Sequence, residues 1–281
     1  MVVGNPARAR ALLVGRIGVL ALGAVVLMIP FVYMVATSFK PNTTVLEIPP
    51  QIVPHHPTVA NYTGAWTSNR FGRYFLNSTL VSLATTVFAV LLSSMMAYAF
   101  ARFRFPGRRF FFALILVGLM VPAMMLLIPQ FLLAKQLQML NSLWGLVFFY
   151  TGSNLALNTF LLSAFFQDIP KELEEAMVVD GAGPWKRYWR LVLPLSRPAL
   201  AVVSIFTFLA GWDEFTWALT TINDPSKYTL PIAIELFQGQ HSTSWGLVFA
   251  ASTIAVVPAI AIFVVFQRQF VSGLASGALK A

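Results

Sequence analysis

The sequence predicts an all-α, polytopic membrane protein with six transmembrane helices, on three observations. Of its 281 residues, 58% are hydrophobic and only 10% are charged, against roughly 25% charged in an average soluble domain. Six apolar stretches reach the length of about 20 residues that a helix needs to cross a hydrocarbon core of ~30 Å. The basic residues behind the net charge of +9 fall between those stretches, a pattern of membrane topology and not of nucleic-acid binding. A mean hydropathy of +0.74 exceeds what a soluble core of this size can hide. The absence of cysteine excludes a disulfide framework, thiol chemistry and Cys-ligated metal.

The expected spans are residues 17–36, 75–101, 110–133, 143–166, 199–221 and 247–266. Each is too long for a strand of a membrane barrel, which needs only about 9–11 alternating residues. The first follows Arg8, Arg10 and Arg16, yet it exceeds the ~7–15 residues of a secretory apolar region and has no A-x-A site behind it. It is expected to stay as a span. The second is rich in small residues (Ser82, Ala84, Thr85, Ala89, Ser93, Ser94, Ala97), which let helices approach closely in the subunit interior. Pro122 and Pro129 in the third span and Pro258 in the sixth are expected to kink their helices.

Lys and Arg set the orientation. With a cytoplasmic N-terminus, the inner segments hold Arg8, Arg10, Arg16, Arg102, Arg104, Arg108, Arg109, Lys171, Lys186, Arg187, Arg190, Arg197, Arg268 and Lys280. Lys40, Arg70, Arg73, Lys135 and Lys227 are left outside. The excess predicts a multi-pass membrane protein with both termini cytoplasmic. The expected organisation is a first helix and Pro-rich outer loop over 1–70, a five-helix transmembrane domain over 71–270 and a cytoplasmic tail over 271–281. The outer loop carries Pro41, Pro49, Pro50, Pro54 and Pro57, which impose an extended path.

Enzyme signatures are missing. No G-x-x-x-x-G-K-[ST] phosphate loop, H-E-x-x-H or G-x-S-x-G is present. His55, His56 and His241 all fall in outer loops, where solvated residues are the ordinary reading. No catalytic residue and no metal ligand is expected.

The inner loop 167–198 is the most specific segment. Ile169-Pro170 opens a helix, and Glu172, Glu174 and Glu175 suit its positive N-terminal end. Gly181-Ala182-Gly183-Pro184 breaks it before a second amphipathic stretch over 185–192. Asp168, Glu172, Glu174, Glu175 and Asp180 are half of the ten acids in the chain. A water-exposed docking helix explains that concentration better than a plain connecting loop.

Glu175-Ala176-Met177, Gly181 and Leu193-Pro194 resemble the E-A-A motif of ABC importer permeases. The run from Ala101 to Arg109, Trp212-Asp213-Glu214-Phe215, Gln267-Arg268 and the run from Gly273 to Lys280 narrow the resemblance to the carbohydrate permeases related to the maltose and sn-glycerol-3-phosphate systems. It covers nearly the whole chain, most strongly from about residue 71. Two positions depart from the family pattern: Met177 replaces the second Ala, and Asp213 the usual Asn.

The resemblance implies a MetI-like ABC permease fold and a subunit importing a sugar or oligosaccharide by alternating access. It implies a second homologous permease, two ATPase subunits that hold ATP and Mg2+, and an extracytoplasmic binding protein meeting the loop 223–244. No cofactor sits in this chain, and nucleic acid is not a partner. Residues 171–180 become the coupling helix, with docking carried by Glu175, Ala176, Asp180, Gly181, Leu193 and Pro194. Glu175 would pair with a basic residue of the ATPase and Gly181 would allow close backbone approach; a solvated carboxylate is the plain alternative for Glu175.

Tyr150, Asn154 and Asn158 recur at i, i+4 and i+8 and so share one helix face. They line a substrate path or form interhelical hydrogen bonds, the two ways polar groups are satisfied at membrane depth. Asp213 and Glu214 lie about 21 Å along the fifth span at 1.5 Å per residue. They mark a functional site or a helix break near the outer interface. A phosphate-ester cargo calls for Arg or Lys in the path, and none lies deep in spans two to six, which favours a neutral sugar. A stand-alone secondary carrier would leave the acidic inner helix unexplained.

Overall fold

The computed structural model describes residues 6–278 except 46, 50–51 and 240–242, with side chains over 12–267 apart from those positions and 69. Pro50, His241 and Lys280 lie outside the described residues, as do the side chains of Arg8, Arg10, Arg268 and the tail beyond it. The described helices are α1 (Pro6–Ser38), α2 (Ala60–Thr67), α3 (Phe71–Arg102), α4 (Arg108–Met120), α5 (Leu127–Gln136), α6 (Leu143–Asp168), α7 (Lys171–Val179), α8 (Pro184–Arg187), α9 (Leu193–Leu195), α10 (Arg197–Trp212), α11 (Thr216–Thr221), α12 (Leu230–Glu235) and α13 (Trp245–Ala278).

Among the described residues, four stretches are continuous, long and apolar enough to cross a membrane: Leu12–Ser38 in α1, α3, α6, and Trp245–Gln267 in α13. Counting each of two bent helix pairs as one span brings the number to six. Helix α4 meets the stretch Ala123–Gln136 at 98°, and Pro184–Leu195 meets α10 at 79°. The third expected span is therefore broken, not just kinked. Val121, forced towards extended backbone by the proline after it, has φ −86° and ψ 118°. Pro129 causes no bend, because it falls in the first turn of α5, where an N–H would have no helical partner anyway. The fifth expected span also stops early. Asp213 caps α10 and the chain turns before α11, which is the helix-break reading of Asp213 and Glu214. Pro258 sits inside a continuous α13.

The chain forms two compact units, residues 69–233 with 255–281, and residues 1–68 with 234–254. In the larger unit α3 packs against both α6 and α10, and α6 against α10. The packed face of α3 is its small one, with Ser82, Thr85, Ala89, Ser93, Ser94 and Ala97 all buried. Gly211 of α10 rides over this face, its Cβ position 3.5 Å from Ser82 Cα. Such approach raises the dispersion contact that drives helix association where no hydrophobic effect operates.

Two apolar clusters close the ends of this helix trio. One gathers Val81, Leu146, Phe149, Tyr150, Trp217 and Ile232. The other gathers Ala97, Leu162, Phe166, Tyr188, Val192 and Val203.

The loop after α11 is pinned from within. Asn77 donates to the carbonyls of Ser226 and Tyr228 at 3.1 and 2.9 Å, and Leu230 N–H donates to Ser78 at 2.7 Å. Asn141 accepts from the Asp224 N–H at 2.9 Å. Hydrogen bonding to Ser226, helped by the Lys227 ammonium, holds the Asp224 carboxyl below the usual carboxylate range. This cap is intact above the ordinary carboxylate pKa and is lost as pH falls through the lowered one.

In the smaller unit Asn61 ties the end of α1 to α2, donating to the carbonyls of Ser38 and Lys40 at 2.8 and 2.7 Å. Ser38 and the Tyr62 hydroxyl meet at 2.6 Å.

Two glycines of α6 give a paired test of packing. A Cβ on Gly145 would overlap the Met139 carbonyl oxygen, whereas one on Gly152 meets nothing within 4 Å. Gly145→Ala is expected to destabilise the purified protein by about 1–3 kcal/mol through overpacking. Gly152→Ala is expected to be neutral or to gain up to about 1 kcal/mol in helix propensity. Thermal unfolding in detergent compares them, and equal melting temperatures would refute this packing of α6.

Candidate functional site

The acidic inner loop is built from local rules. Ile169 is extended (φ −68°, ψ 127°), as a residue before proline must be, so α6 ends and α7 starts afresh. Glu172 and Glu174 occupy the first turn of α7, where the helix dipole favours acids. At the other end Gly181 has φ +71°. Its N–H donates to Val178 O at 2.9 Å, and the Ala182 N–H donates to Met177 O at 2.8 Å. This is the Schellman pair of bonds, with glycine in the left-handed position that carries no Cβ penalty. No atom lies within 4 Å of a Cβ built there, so within this chain the backbone angle, and not a close approach, calls for glycine.

One side of α7 is clamped. Glu174, only 6% exposed, faces two arginines. Arg102 Nε, at the end of α3, lies 2.7 Å from Oε1, and Arg187 Nη1 lies 3.5 Å from Oε2. The Arg102 Nε–H points off that line, so the contact is an ion pair and not an in-line hydrogen bond. Arg102 Nη2 instead donates to Ile169 O at 2.7 Å. The segment after α7 is anchored on the same end of α3, where the Tyr188 hydroxyl and Ser94 meet at 2.7 Å. Residues Tyr188–Val192 form a wide π turn just before Pro194, which has no N–H to continue an α-helical ladder.

The other side of α7 is open. Glu175, Ala176, Asp180 and Gly181 are exposed, Pro194 is exposed, and Leu193 is half-buried against the cluster around Tyr188. Met177 is half-buried. Sequence reasoning singled out Glu175 and passed over Glu174. The sequence placed Glu174 only among the dipole-favoured acids of the first turn and carried no signal of its pairing with Arg102.

The membrane-depth residues divide. Tyr150 and Glu214 come together, with the Tyr150 hydroxyl donating to Glu214 Oε2 at 2.5 Å. Glu214 also accepts the N–H groups of Trp217 and Ala218 at 2.7 and 3.1 Å, capping α11 with a charge-assisted bond. Asn154 donates to Tyr150 O at 2.8 Å along its own helix. Tyr150, Asn154 and Glu214 line a cavity of about 330 Å³ together with Gln130, Ser153 and Trp217. Asn158 is not part of it. It is 2% exposed and donates to Thr207 of α10 at 2.8 Å, the interhelical alternative. Asp213 is exposed and outside the cavity lining. Gln130, Ser153 and Trp217 were missed; Gln130 was readable as the one amide in the apolar run 110–133.

A helical protein whose bent helices border a half-open cavity with polar lining, and which holds an acidic helix at the end of a span, has the form of a membrane permease. Residues 89–276 match the family of binding-protein-dependent transport system inner membrane components, and the chain belongs to that family. It is a multi-pass inner-membrane transport subunit, not an enzyme.

The diacetylchitobiose uptake system permease protein of Streptomyces coelicolor is 33% identical over 93% of this chain and 87% of its own. The trehalose/maltose transport system permease protein of Thermococcus litoralis is 35% identical over 92% and 93%. The fold is also that of a chain in a bacterial ABC transporter importing alginate, with a TM-score of 0.82 and 21% identity over 95% of this chain and 99% of that one.

Removing one member of a buried ion pair costs about 3–5 kcal/mol, while apolar replacement of both is far milder. Glu174→Ala is therefore expected to lower the stability of the purified chain strongly, and Arg102→Met with Glu174→Met to recover most of the loss. Equal losses in the single and double variants, by thermal unfolding, would show that the charge pair does not hold α7.

Proposed function

We propose that this chain imports a neutral sugar or oligosaccharide as one of two homologous permeases. Two ATPase subunits, holding ATP and Mg2+, drive the cycle and an extracytoplasmic binding protein delivers the cargo. Both termini face the cytoplasm, in line with the distribution of Lys and Arg. The observation that carries the reading is the cavity of about 330 Å³. It offers hydroxyl, amide and carboxylate partners beside the apolar side chains of Met124 and Leu127 and the largely buried rings of Tyr150 and Trp217, with no Lys or Arg in its lining. Sugars need such hydrogen-bond partners and apolar faces, whereas a phosphate ester calls for a cation. The carbohydrate permeases among the relatives support the same cargo class.

The open side of α7 is the docking surface for an ATPase subunit. Glu175, Ala176, Asp180 and Gly181 form it, with Leu193 and Pro194 behind them. The Glu174 clamp gives this helix a stiff connection to α3, so a push on α7 moves a membrane span and shifts the permease pair between inward-open and outward-open states. Glu214 and Tyr150 form the path, and Asn154 adds an amide to it.

Substrate-stimulated ATP hydrolysis by the reconstituted complex is the test. Glu175→Ala, and Gly181→Val with its strained left-handed backbone, are expected to uncouple hydrolysis or release the ATPase subunits. Asn154→Leu is expected to raise the substrate concentration needed for half-maximal stimulation about twofold to tenfold, the worth of one hydrogen bond, with coupling intact. Full coupling in both α7 variants would remove the docking assignment. Stimulation by a phosphate ester and by no sugar would remove the cargo.

A further inference from the structure

The connection between α3 and α4 builds a second site, which the transport reading does not use. Gly107, with φ +77°, turns the chain so that Arg104, Arg108 and Arg109 all border one open hollow of about 860 Å³. Its walls are Phe100, Phe105 and Phe110, and no acid is among the lining residues. Among the described residues none of the three guanidiniums makes an ion pair or side-chain hydrogen bond. Three cations border the hollow with no carboxylate in its lining, so it favours an anion.

The surroundings name the kind of anion. Helix α4 has no buried residue, and Phe110, Leu114, Val117 and Val121 are exposed at i, i+4, i+7 and i+11, one apolar stripe that starts at the hollow. At 1.5 Å per residue this stripe is about 16 Å long, close to the ~15 Å of one leaflet of a ~30 Å hydrocarbon core. A headgroup site joined to an apolar track of leaflet length fits an amphiphile. Basic pockets at the ends of membrane helices are suited to phospholipid headgroups, and guanidinium forks match phosphate oxygens.

We propose that this hollow binds the phosphodiester headgroup of an anionic phospholipid, with an acyl chain lying along the α4 stripe. The lipid neutralises the arginine cluster at the membrane boundary and steadies the α3–α4 turn. An adjoining hollow of about 460 Å³ shares Arg104 and Arg108 and extends to Glu174 and Glu175, so the bound headgroup sits one side chain away from α7.

Native mass spectrometry of the detergent-purified complex tests this, with phosphatidylglycerol and phosphatidylcholine added back after delipidation. The wild type is expected to retain one phosphatidylglycerol per chain in preference to phosphatidylcholine. At the ordinary worth of a basic residue near anionic lipid, the preference falls about fivefold for Arg109→Gln and on the order of a hundredfold for Arg104→Gln with Arg108→Gln and Arg109→Gln. The single variant keeps the test alive should the triple variant fail to fold. A control triple, Lys186→Gln with Arg190→Gln and Arg197→Gln, removes equal charge elsewhere and is expected to keep the preference. An equal fall in the control would mean diffuse surface charge and overturn the site. Displacement of the lipid by millimolar inorganic phosphate would make it a phosphate site, and loss of the ATPase subunits with lipid retained would make it a protein contact. Either result overturns the proposal.

Discussion

The carboxylate of Glu174 between Arg102 and Arg187 is the contact on which the arrangement of the inner loop depends. A buried charge left alone is so costly that the helix bearing it has little freedom to leave its partners. Because Arg102 also holds the carbonyl of Ile169, one guanidinium fixes both the end of α6 and the start of α7. Tyr188, bonded to Ser94, fixes the return strand of the same loop. The loop is therefore a rigid appendage of α3. What remains exposed on α7 mixes the acids Glu172 and Glu175 with Leu173, Ala176, Val178 and Val179, offered to whatever meets it.

The half-open cavity beside Tyr150 and Glu214 follows from a different constraint. In a membrane every backbone polar group must find a partner within the protein, so a helix that stops at membrane depth needs a substitute for its lost ladder. Glu214 supplies it for α11 by accepting two backbone N–H groups. Its Oε2 also accepts the Tyr150 hydroxyl, which joins the cap to α6. The break in α10–α11 and the break at Val121–Pro122 leave polar and aromatic side chains around a hollow that continuous helices would have filled. Interrupted spans are thus the cause of the cavity and not an incidental irregularity.

Much of this was legible in the residues. Four of the six apolar runs, the Ile169-Pro170 start and Gly181 stop of the acidic helix and the small face of α3 express local chemistry, and the structure carries each of them. The third and fifth runs read as continuous because hydropathy does not register a bend; only Pro122 and the Asp213-Glu214 pair hinted at one. The sites were partly legible. Tyr150, Asn154 and Asn158 do share a face, but whether an amide faces a cavity or a neighbouring helix depends on α10, and Thr207 decides it for Asn158. Glu174 escaped notice because pairing with Arg102 spans 72 residues of sequence and leaves no periodic trace.

Helix α1 is subject to fewer demands than its companions. From residue 12 to residue 32 every side chain is exposed within the chain, with Gly15, Gly18 and Gly23 meeting nothing. Such a segment is answerable to oiliness and not to shape, so leucine, isoleucine, valine and phenylalanine are interchangeable along it. The serines and alanines of α3, each fitted to a particular neighbour, have no such latitude.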